Sequence, residues 1–273
     1  MKLAFAFLLA SLALCQGSKE DGIVRAAAFL ESNRDNDRYS ELITLALMVN
    51  GYKEDAAIEK LQTLPHVGTH RSALRAVIYY LDDPVKHKVR IAQCVQFLLY
   101  QQSEDGGWSF GSYMPEVEVP ESFELYLPKR TKAFSKGCAT HIALMALWCA
   151  SRSGIKVPAK AVRDSFEWWK KNQTPSGGWS CCDPLKEGNS YASSNMMGGS
   201  SLLICSRLLN ENSSQYLEQI DNQLSLNFEI APDRWRYYYY FALEQYSALT
   251  GKFDAQVKAV EKQLLATQKQ NGS

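Results

Sequence analysis

Gln102-Ser103-Glu104-Asp105-Gly106-Gly107-Trp108 and Gln173-Thr174-Pro175-Ser176-Gly177-Gly178-Trp179 are two copies of one pattern, Q-x-x-x-G-G-W. Each copy follows a predicted amphipathic helix, and its paired glycines predict a sharp turn. A third copy begins at Gln268 and is interrupted at Ser273, one residue before the expected tryptophan. A short pattern that recurs at helix ends is typical of repeat architectures, so the sequence predicts a repetitive fold.

Helices of two kinds alternate along the chain, and strand patterns are almost absent. Amphipathic helices are predicted over residues 21–32, 54–64, 85–101, 158–172, 215–226 and 253–267. Helices that are more strongly apolar are predicted over residues 40–49, 70–81, 136–151, 194–209 and 234–249. A helix that is apolar on every face must be enclosed by others, whereas a one-faced helix belongs to an outer layer. The pattern therefore predicts an all-α fold, an α/α toroid of outer amphipathic and inner apolar helices.

The last predicted helix has no partner with which to form a pair. Five amphipathic and apolar pairs are followed by one amphipathic helix that has no partner, and the third repeat is interrupted. We expect a toroid that is incomplete at its C-terminal end, either because the ring is open or because the chain is part of a longer one.

The N-terminus predicts export. Lys2 precedes an apolar run over residues 3–14, and small or polar residues follow, as in a secretory signal peptide that ends near Gly17. Residues 18–273 then form one toroid domain in a periplasmic or extracellular protein. Leu12-Ala13-Leu14-Cys15 also resembles a lipoprotein signal, but Leu14 stands where a small residue is usual, so anchoring through Cys15 is the less favoured interpretation.

Charge and cysteine usage exclude two classes of protein. The 30 Lys and Arg residues nearly balance the 29 Asp and Glu residues, and no basic run interleaves with aromatics, so nucleic acid is not an expected partner. The cysteines do not form the pattern of a disulfide framework, since Cys138, Cys149 and Cys205 fall within apolar helices. If a disulfide forms, we expect it to involve Cys181 or Cys182.

The repeats resemble those of the squalene cyclase and protein prenyltransferase β-subunit superfamily, whose helical repeats carry a Q-x-x-x-G-x-W signature. Residues 234–244, an arginine- and tyrosine-rich segment, are similar to the aromatic helix before the final repeat in exported bacterial members. The resemblance implies an α/α toroid with a central apolar cavity that binds a lipid or an isoprenoid. The motif itself is interpreted as a brace, in which glutamine bonds backbone groups at a helix end and tryptophan covers the junction.

This sequence matches the catalytic and zinc-binding motifs of that superfamily poorly. Squalene-type cyclases use an Asp-x-Asp-Asp segment as their acid, whereas Asp82-Asp83 here is followed by Pro84 and lacks the earlier aspartate. Prenyltransferase β-subunits bind zinc through Asp, Cys and His. The candidates here, Asp183, Cys181 or Cys182 and a histidine, match no short zinc motif. We therefore predict no metal and no cofactor, and the sequence does not decide whether the protein is an enzyme.

Five residues are candidates for lining a ligand cavity: His70, His141, Tyr237, Tyr240 and Asn195. Each has a structural interpretation as well, because a histidine or tyrosine in an apolar helix is commonly a core residue. The tyrosines could instead surround an apolar or cationic ligand. Asn195 belongs to a polar cluster that begins at Cys181 and lies between a repeat turn and an inner helix. The irregular insertion over residues 109–134 has a length that is often functional.

Three functions remain open at this point. The first is an exported toroid that binds a lipid or an isoprenoid in its central cavity. The second is a non-catalytic scaffold that holds a partner at the toroid mouth. The third is a polysaccharide-acting enzyme, although no paired carboxylates of suitable geometry support it.

Overall fold

The computed structural model describes residues 18–32, 40–130, 132–175, 177–180, 192–226 and 236–267. It is 66% helix with little strand, which confirms the predicted all-α class. The predicted signal peptide, Cys15, the Cys181-Cys182 pair and the predicted third repeat at Gln268 lie outside the described residues.

Eleven helices occupy the described residues, and each corresponds to a predicted one with ends shifted by no more than a few residues. They are α1 (Ser18–Ser32), α2 (Ser40–Val49), α3 (Asp55–Thr63), α4 (Thr69–Asp82), α5 (Lys88–Gln101), α6 (Gly137–Arg152), α7 (Ala159–Lys171), α8 (Ala192–Leu209), α9 (Ser214–Leu226), α10 (Arg236–Thr250) and α11 (Asp254–Thr267).

The even-numbered helices form one continuous row. Helix α2 packs on α4, α4 on α6, α6 on α8, and α8 on α10. Each odd-numbered helix packs on one or both of its even-numbered neighbours in the chain. The described helices are therefore arranged in two layers, a central row and a covering layer.

The two kinds of sequence pattern explain the two layers. Helix α6 buries residues on every face, including His141, Leu144 and Leu147. Helix α7 buries only one stripe, which contains the predicted Val162, Phe166 and Trp169, and it ends in two lysines. Each Å² of apolar surface removed from water stabilises the fold by about 25 cal/mol. This gain favours enclosing α6 on all sides and covering it with the apolar stripe of α7.

A short strand pair interrupts the helical pattern. Strand β1 (His66–Val67) lies between α3 and α4 and pairs antiparallel with β2 (Tyr113–Met114) in the insertion. The Gly68 amide also donates to the Ser112 carbonyl at 2.9 Å. Sequence patterns predicted no strand here because two residues are too few to show an alternation. The pairing fastens the insertion onto the start of α4.

The tryptophans of the two repeats cap the helices that precede them. The indole Nε1 of Trp108 donates to the Leu98 carbonyl at 2.7 Å, and that of Trp179 donates to the Trp169 carbonyl at 2.7 Å. Leu98 and Trp169 each lie in the last turn of a helix, where carbonyls have no intrahelical partner. The tryptophans therefore cap the C-terminal ends of α5 and α7.

The glutamines link consecutive helices of the covering layer. Gln102 Nε2 donates to the Gly106 carbonyl at 2.8 Å and to the Ala161 carbonyl of α7 at 2.9 Å. Gln173 Nε2 donates to the Gly177 carbonyl at 2.9 Å and to the Tyr216 carbonyl of α9 at 3.4 Å. Ala161 and Tyr216 are each the third residue of their helix, so the two repeats make equivalent contacts.

Glycine is required inside the first of these turns. Gly106 has a φ of +97°, and a Cβ atom there would lie 2.3 Å from the Asp164 carbonyl oxygen. A side chain at this position would therefore strain the backbone and force α7 away from the turn. Gly198 of α8 has a comparable role, since a Cβ atom there would lie 2.4 Å from the ring of Trp179.

Replacing Gln102 by alanine is expected to lower the free energy of unfolding by about 2–3 kcal/mol, because the buried side chain loses its bonds to the Gly106 and Ala161 carbonyls and to Arg130 Nη2. The matched change Gln173→Ala should cost only about 1 kcal/mol, since Gln173 is partly exposed and its second bond is long. Urea unfolding followed by circular dichroism measures both. Equal losses at the two sites would contradict the different bonding seen here.

Two further features of the described residues concern cysteines and membrane spans. Cys94, Cys138, Cys149 and Cys205 are free thiols. Within the described ranges, no helix combines the length and the apolar character needed to cross a bilayer.

Candidate functional site

His141 lies at the centre of the row of inner helices and is fully buried on α6. Its ring is 6.0 Å from that of Phe241 on α10. One turn further along α6, Met145 Sδ accepts a hydrogen bond of 3.0 Å from Gln245 Nε2 of α10. Burial, only partly opposed by a hydrogen bond with Gln245, lowers the His141 pKa from 6.5 to about 4. His141 is thus a neutral side chain within close helix packing.

The other candidates are dispersed. His70 is partly buried, with its ring 5.8 Å from that of Phe110, and it is close enough to His141 to lower the pKa of that residue. Tyr240 is buried and its hydroxyl donates to Gln263 Oε1 of α11 at 3.1 Å. Asn195 accepts the Trp179 backbone amide at 2.9 Å, as Thr140 does for Trp108 in the first repeat. The side chain of Tyr237 lies outside the described residues.

The charge of His70 therefore influences His141, and Asn195 has a part in the repeat turn. Thr140 and Asn195 are each the fourth residue of an inner helix and hold the same backbone atom of the same motif. This equivalence explains why a polar residue occurs at these buried positions.

Acid is expected to destabilise the protein through His141. Its pKa is about 6.5 in the unfolded chain and about 4 in the folded protein, so the unfolded chain binds more protons between these values. Stability is then complete above pH 6.5 and decreases as the pH falls towards 4. At pH 5 the expected loss from this residue is about 2 kcal/mol.

Urea unfolding at pH 7.5 and pH 5 measures this loss. The variant His141→Gln, which cannot be protonated, should show a drop between the two pH values that is smaller by about 2 kcal/mol than in the parent protein. The same drop in both proteins would contradict a neutral buried His141.

A pocket of about 680 Å³ lies away from these residues, between α3, α4, α5 and the insertion. We call residues 113–119, which form one wall, the strap. The pocket is lined by residues 61–66, Arg75, Tyr79, Arg90, Gln93, Cys94, Tyr113 and residues 115–119. Its volume lies within the range of about 300–1,000 Å³ that is usual for small-molecule sites.

An ion-pair cluster fixes the inner end of the pocket. Glu41 of α2, only 1% exposed, accepts hydrogen bonds from Arg71 Nε at 2.9 Å and from Arg75 Nε at 2.8 Å. Arg75 Nη1 also donates to the Leu64 and Pro65 carbonyls, at 3.1 and 2.8 Å. Arg75 therefore connects α2 and α4 to the turn that enters β1.

His66 directly follows this turn, as the first residue of β1, and lines the pocket. Its ring is stacked on buried Phe97 with centroids 5.4 Å apart and planes inclined by 21°. Burial, followed by the charges of Arg75 and Arg90, lowers the His66 pKa to about 4. The Nδ1 atom of His66 is buried and has no hydrogen-bond partner among the described residues.

The strap supplies a wall with two faces. Val117 is buried and Val119 is partly buried against the core, whereas Glu116 and Glu118 are exposed. This alternation follows from the extended backbone, in which successive side chains point to opposite sides. The pocket thus combines an apolar wall, a cationic floor and carboxylates at its mouth.

Sequence reasoning missed His66, Arg75 and Arg90 as site residues. His66 lies on β1, Arg75 on α4 and Arg90 on α5, and no short motif marks them. The signal that could have located the pocket was the long insertion, which the sequence analysis noted as a region that is often functional.

No cluster of three or more His, Cys, Asp or Glu residues suitable for a metal ion occurs in the part of the chain that the structure describes. The zinc candidates Asp183, Cys181 and Cys182 lie outside that part.

No family model matches the chain, and no curated protein matches it. Membership of the squalene cyclase and prenyltransferase superfamily therefore stays a prediction that rests on the two Q-x-x-x-G-G-W repeats.

Proposed function

We propose that this chain is an exported, non-catalytic binding protein of the α/α-toroid class that holds a small amphipathic molecule in the pocket beside the strap. The toroid is supported by the succession of even-numbered helices in contact from α2 to α10, with odd-numbered helices packed against them. The equivalent bonds of the two repeats support a regular rotation from one helix pair to the next.

The observation that carries the function is the pocket of about 680 Å³ with an apolar strap wall and a cationic floor. Ligand sites in proteins are concave, largely apolar and provided with a few polar groups that orient the ligand. Leu61, Leu64 and Val117 supply apolar lining here, while His66 and Arg90 supply polar groups.

The central row offers less support for catalysis at the toroid axis. His141, Met145 and Gln245 are at most 5% exposed and pack against one another across α6 and α10. A cyclase needs an acid that faces a dry cavity. Among the four buried glutamates of the described residues, the least exposed, Glu41, is held by two guanidinium groups, which gives it a structural role.

Native mass spectrometry and calorimetry test the proposed function. We expect a co-purified small molecule, or after its removal one-to-one binding of octanoate or octanol. Gln62→Trp, which places an indole at the pocket wall, should abolish binding. The matched change Gln256→Trp, at a similarly half-buried glutamine of α11, should leave binding intact. Binding that is unaffected by Gln62→Trp, or absent in the parent protein, would contradict the proposal.

A further inference from the structure

The two arginines of the pocket differ in how their hydrogen bonds are used. Arg75 is 2% exposed and engages Glu41 and the carbonyls of Leu64 and Pro65. Its charge is balanced by a buried carboxylate 2.8 Å away. Arg75 thus makes its hydrogen bonds within the protein and contributes to the shape of the pocket floor, not to ligand binding.

Arg90 is the contrasting residue. It stands on α5, is partly buried, and lines the same pocket. Its Nη1 atom donates to Gln93 Oε1, a neutral acceptor, at 3.1 Å. Among the described residues no carboxylate lies within ion-pair distance of Arg90. A guanidinium has five N–H donors, so most of those on Arg90 remain open to a ligand.

His66 adds a second polar group to the same floor. Its Nδ1 atom is buried without a hydrogen-bond partner in the described structure. Leaving such an atom unsatisfied costs free energy, which a ligand that hydrogen-bonds to it would recover. The stacking on Phe97 holds the imidazole in one plane, and the bonds from Arg75 to Leu64 and Pro65 hold the turn that carries it.

Charge in the pocket is separated by depth. Arg75 is paired with Glu41, whereas Arg90 has no ion pair among the described residues, so Arg90 leaves a positive charge beside His66. Glu116 and Glu118 belong to the exposed face of the strap, at the mouth. The lining also includes the apolar residues Leu61, Leu64 and Val117. An elongated ligand with one anionic end matches this lining if its anionic end lies beside Arg90 and His66.

From these contacts we infer that the pocket is a carboxylate-binding site, in which the Arg90 guanidinium and the His66 imidazole hold the carboxylate of a small molecule whose apolar body lies against the strap. A planar carboxylate fits the guanidinium fork through two parallel hydrogen bonds. The single uncommitted guanidinium on the floor favours one anionic group of one charge. The inference rests on the proposed function and specifies the ligand class for the same pocket.

Isothermal titration of the full chain with octanoate and with octanol separates the inference from the proposed function. We expect octanoate to bind at least tenfold more tightly than octanol. Arg90→Gln should weaken octanoate binding by roughly 10- to 100-fold, because a hydrogen bond to a charged group is lost, and should leave octanol binding within about twofold. Lys86→Gln removes the same charge from an exposed residue outside the pocket lining and should change neither affinity.

The outcomes are distinct. If octanol binds as tightly as octanoate, or if Arg90→Gln weakens both equally, the carboxylate inference is overturned while the binding function stands. If neither ligand binds, the proposed function fails as well. Circular dichroism of each variant checks folding, and Arg90→Lys, which keeps the charge but not the fork, should weaken octanoate binding by an intermediate factor.

Octyl phosphate tests the nature of the anion. A carboxylate site predicts that octanoate binds at least as tightly as octyl phosphate at neutral pH. Binding of octyl phosphate more than tenfold tighter would overturn the assignment to carboxylates. Glu118→Gln gives a further check, since removing a negative charge from the mouth should strengthen octanoate binding by a small factor and leave octanol unaffected.

Discussion

Replacing Trp108 with alanine is expected to lower the free energy of unfolding by about 3–5 kcal/mol, because a large buried ring is removed and a cavity remains. Trp108 is fully buried. The change also removes the indole donor from the Leu98 carbonyl at the end of α5. Urea unfolding followed by circular dichroism measures the loss.

Trp108→Phe separates packing from hydrogen bonding. It keeps a six-membered aromatic ring and removes the indole N–H together with the five-membered ring. The expected loss is about 1–3 kcal/mol, chiefly from leaving the Leu98 carbonyl without the indole donor. Equal effects of Phe and Ala would show that the ring contributes nothing beyond its hydrogen bond, and would contradict the account of Trp108 as a packed brace.

Replacing Glu41 with alanine is expected to cost about 3–5 kcal/mol. The carboxylate is buried and receives hydrogen bonds from Arg71 and Arg75, so its removal leaves the guanidinium of Arg75 charged and buried without a carboxylate partner. Because Arg75 also bonds the Leu64 and Pro65 carbonyls, the turn that carries His66 should loosen. Thermal and urea unfolding measure the stability.

Arg71→Ala is the matched control for the same cluster. The Arg71 side chain is 32% exposed and Glu41 keeps its bonds to Arg75, so the expected cost is about 1 kcal/mol. A loss as large as that of Glu41→Ala would contradict the division of this cluster into a buried pair and a peripheral arginine.

The helical pattern could be read from the sequence because it depends on local periodicity. The all-round apolar run of α6 and the one-sided stripe of α7 carry their own burial pattern, and the glycines of each repeat mark the turns. The roles within the Q-x-x-x-G-G-W motif were predicted only in outline. Which atom bonds which carbonyl depends on where α7 and α9 lie relative to each turn, and this is a tertiary property.

The pocket could not be read in this way. His66, Arg75 and Arg90 lie on separate elements, and their proximity results from the packing of α4 on α5 and from the pairing of β1 with β2. Glu41 was also missed, because it lies at the start of an apolar run whose burial indicates nothing about the arginines on α4. Asn195 and His141 were candidates as polar residues within or beside apolar helices, and they occupy positions that the repeat turn and the helix packing explain.

Photo-crosslinking with a diazirine-bearing medium-chain carboxylate, followed by peptide mapping, tests the central claim most directly. The account predicts attachment within residues 61–66, on α5 near Arg90 and Gln93, and on the strap, with labelling suppressed by excess octanoate. Attachment instead to inner-helix residues around His141, Tyr240 or Phe241 would place the ligand in the central row of helices and contradict the pocket beside the strap.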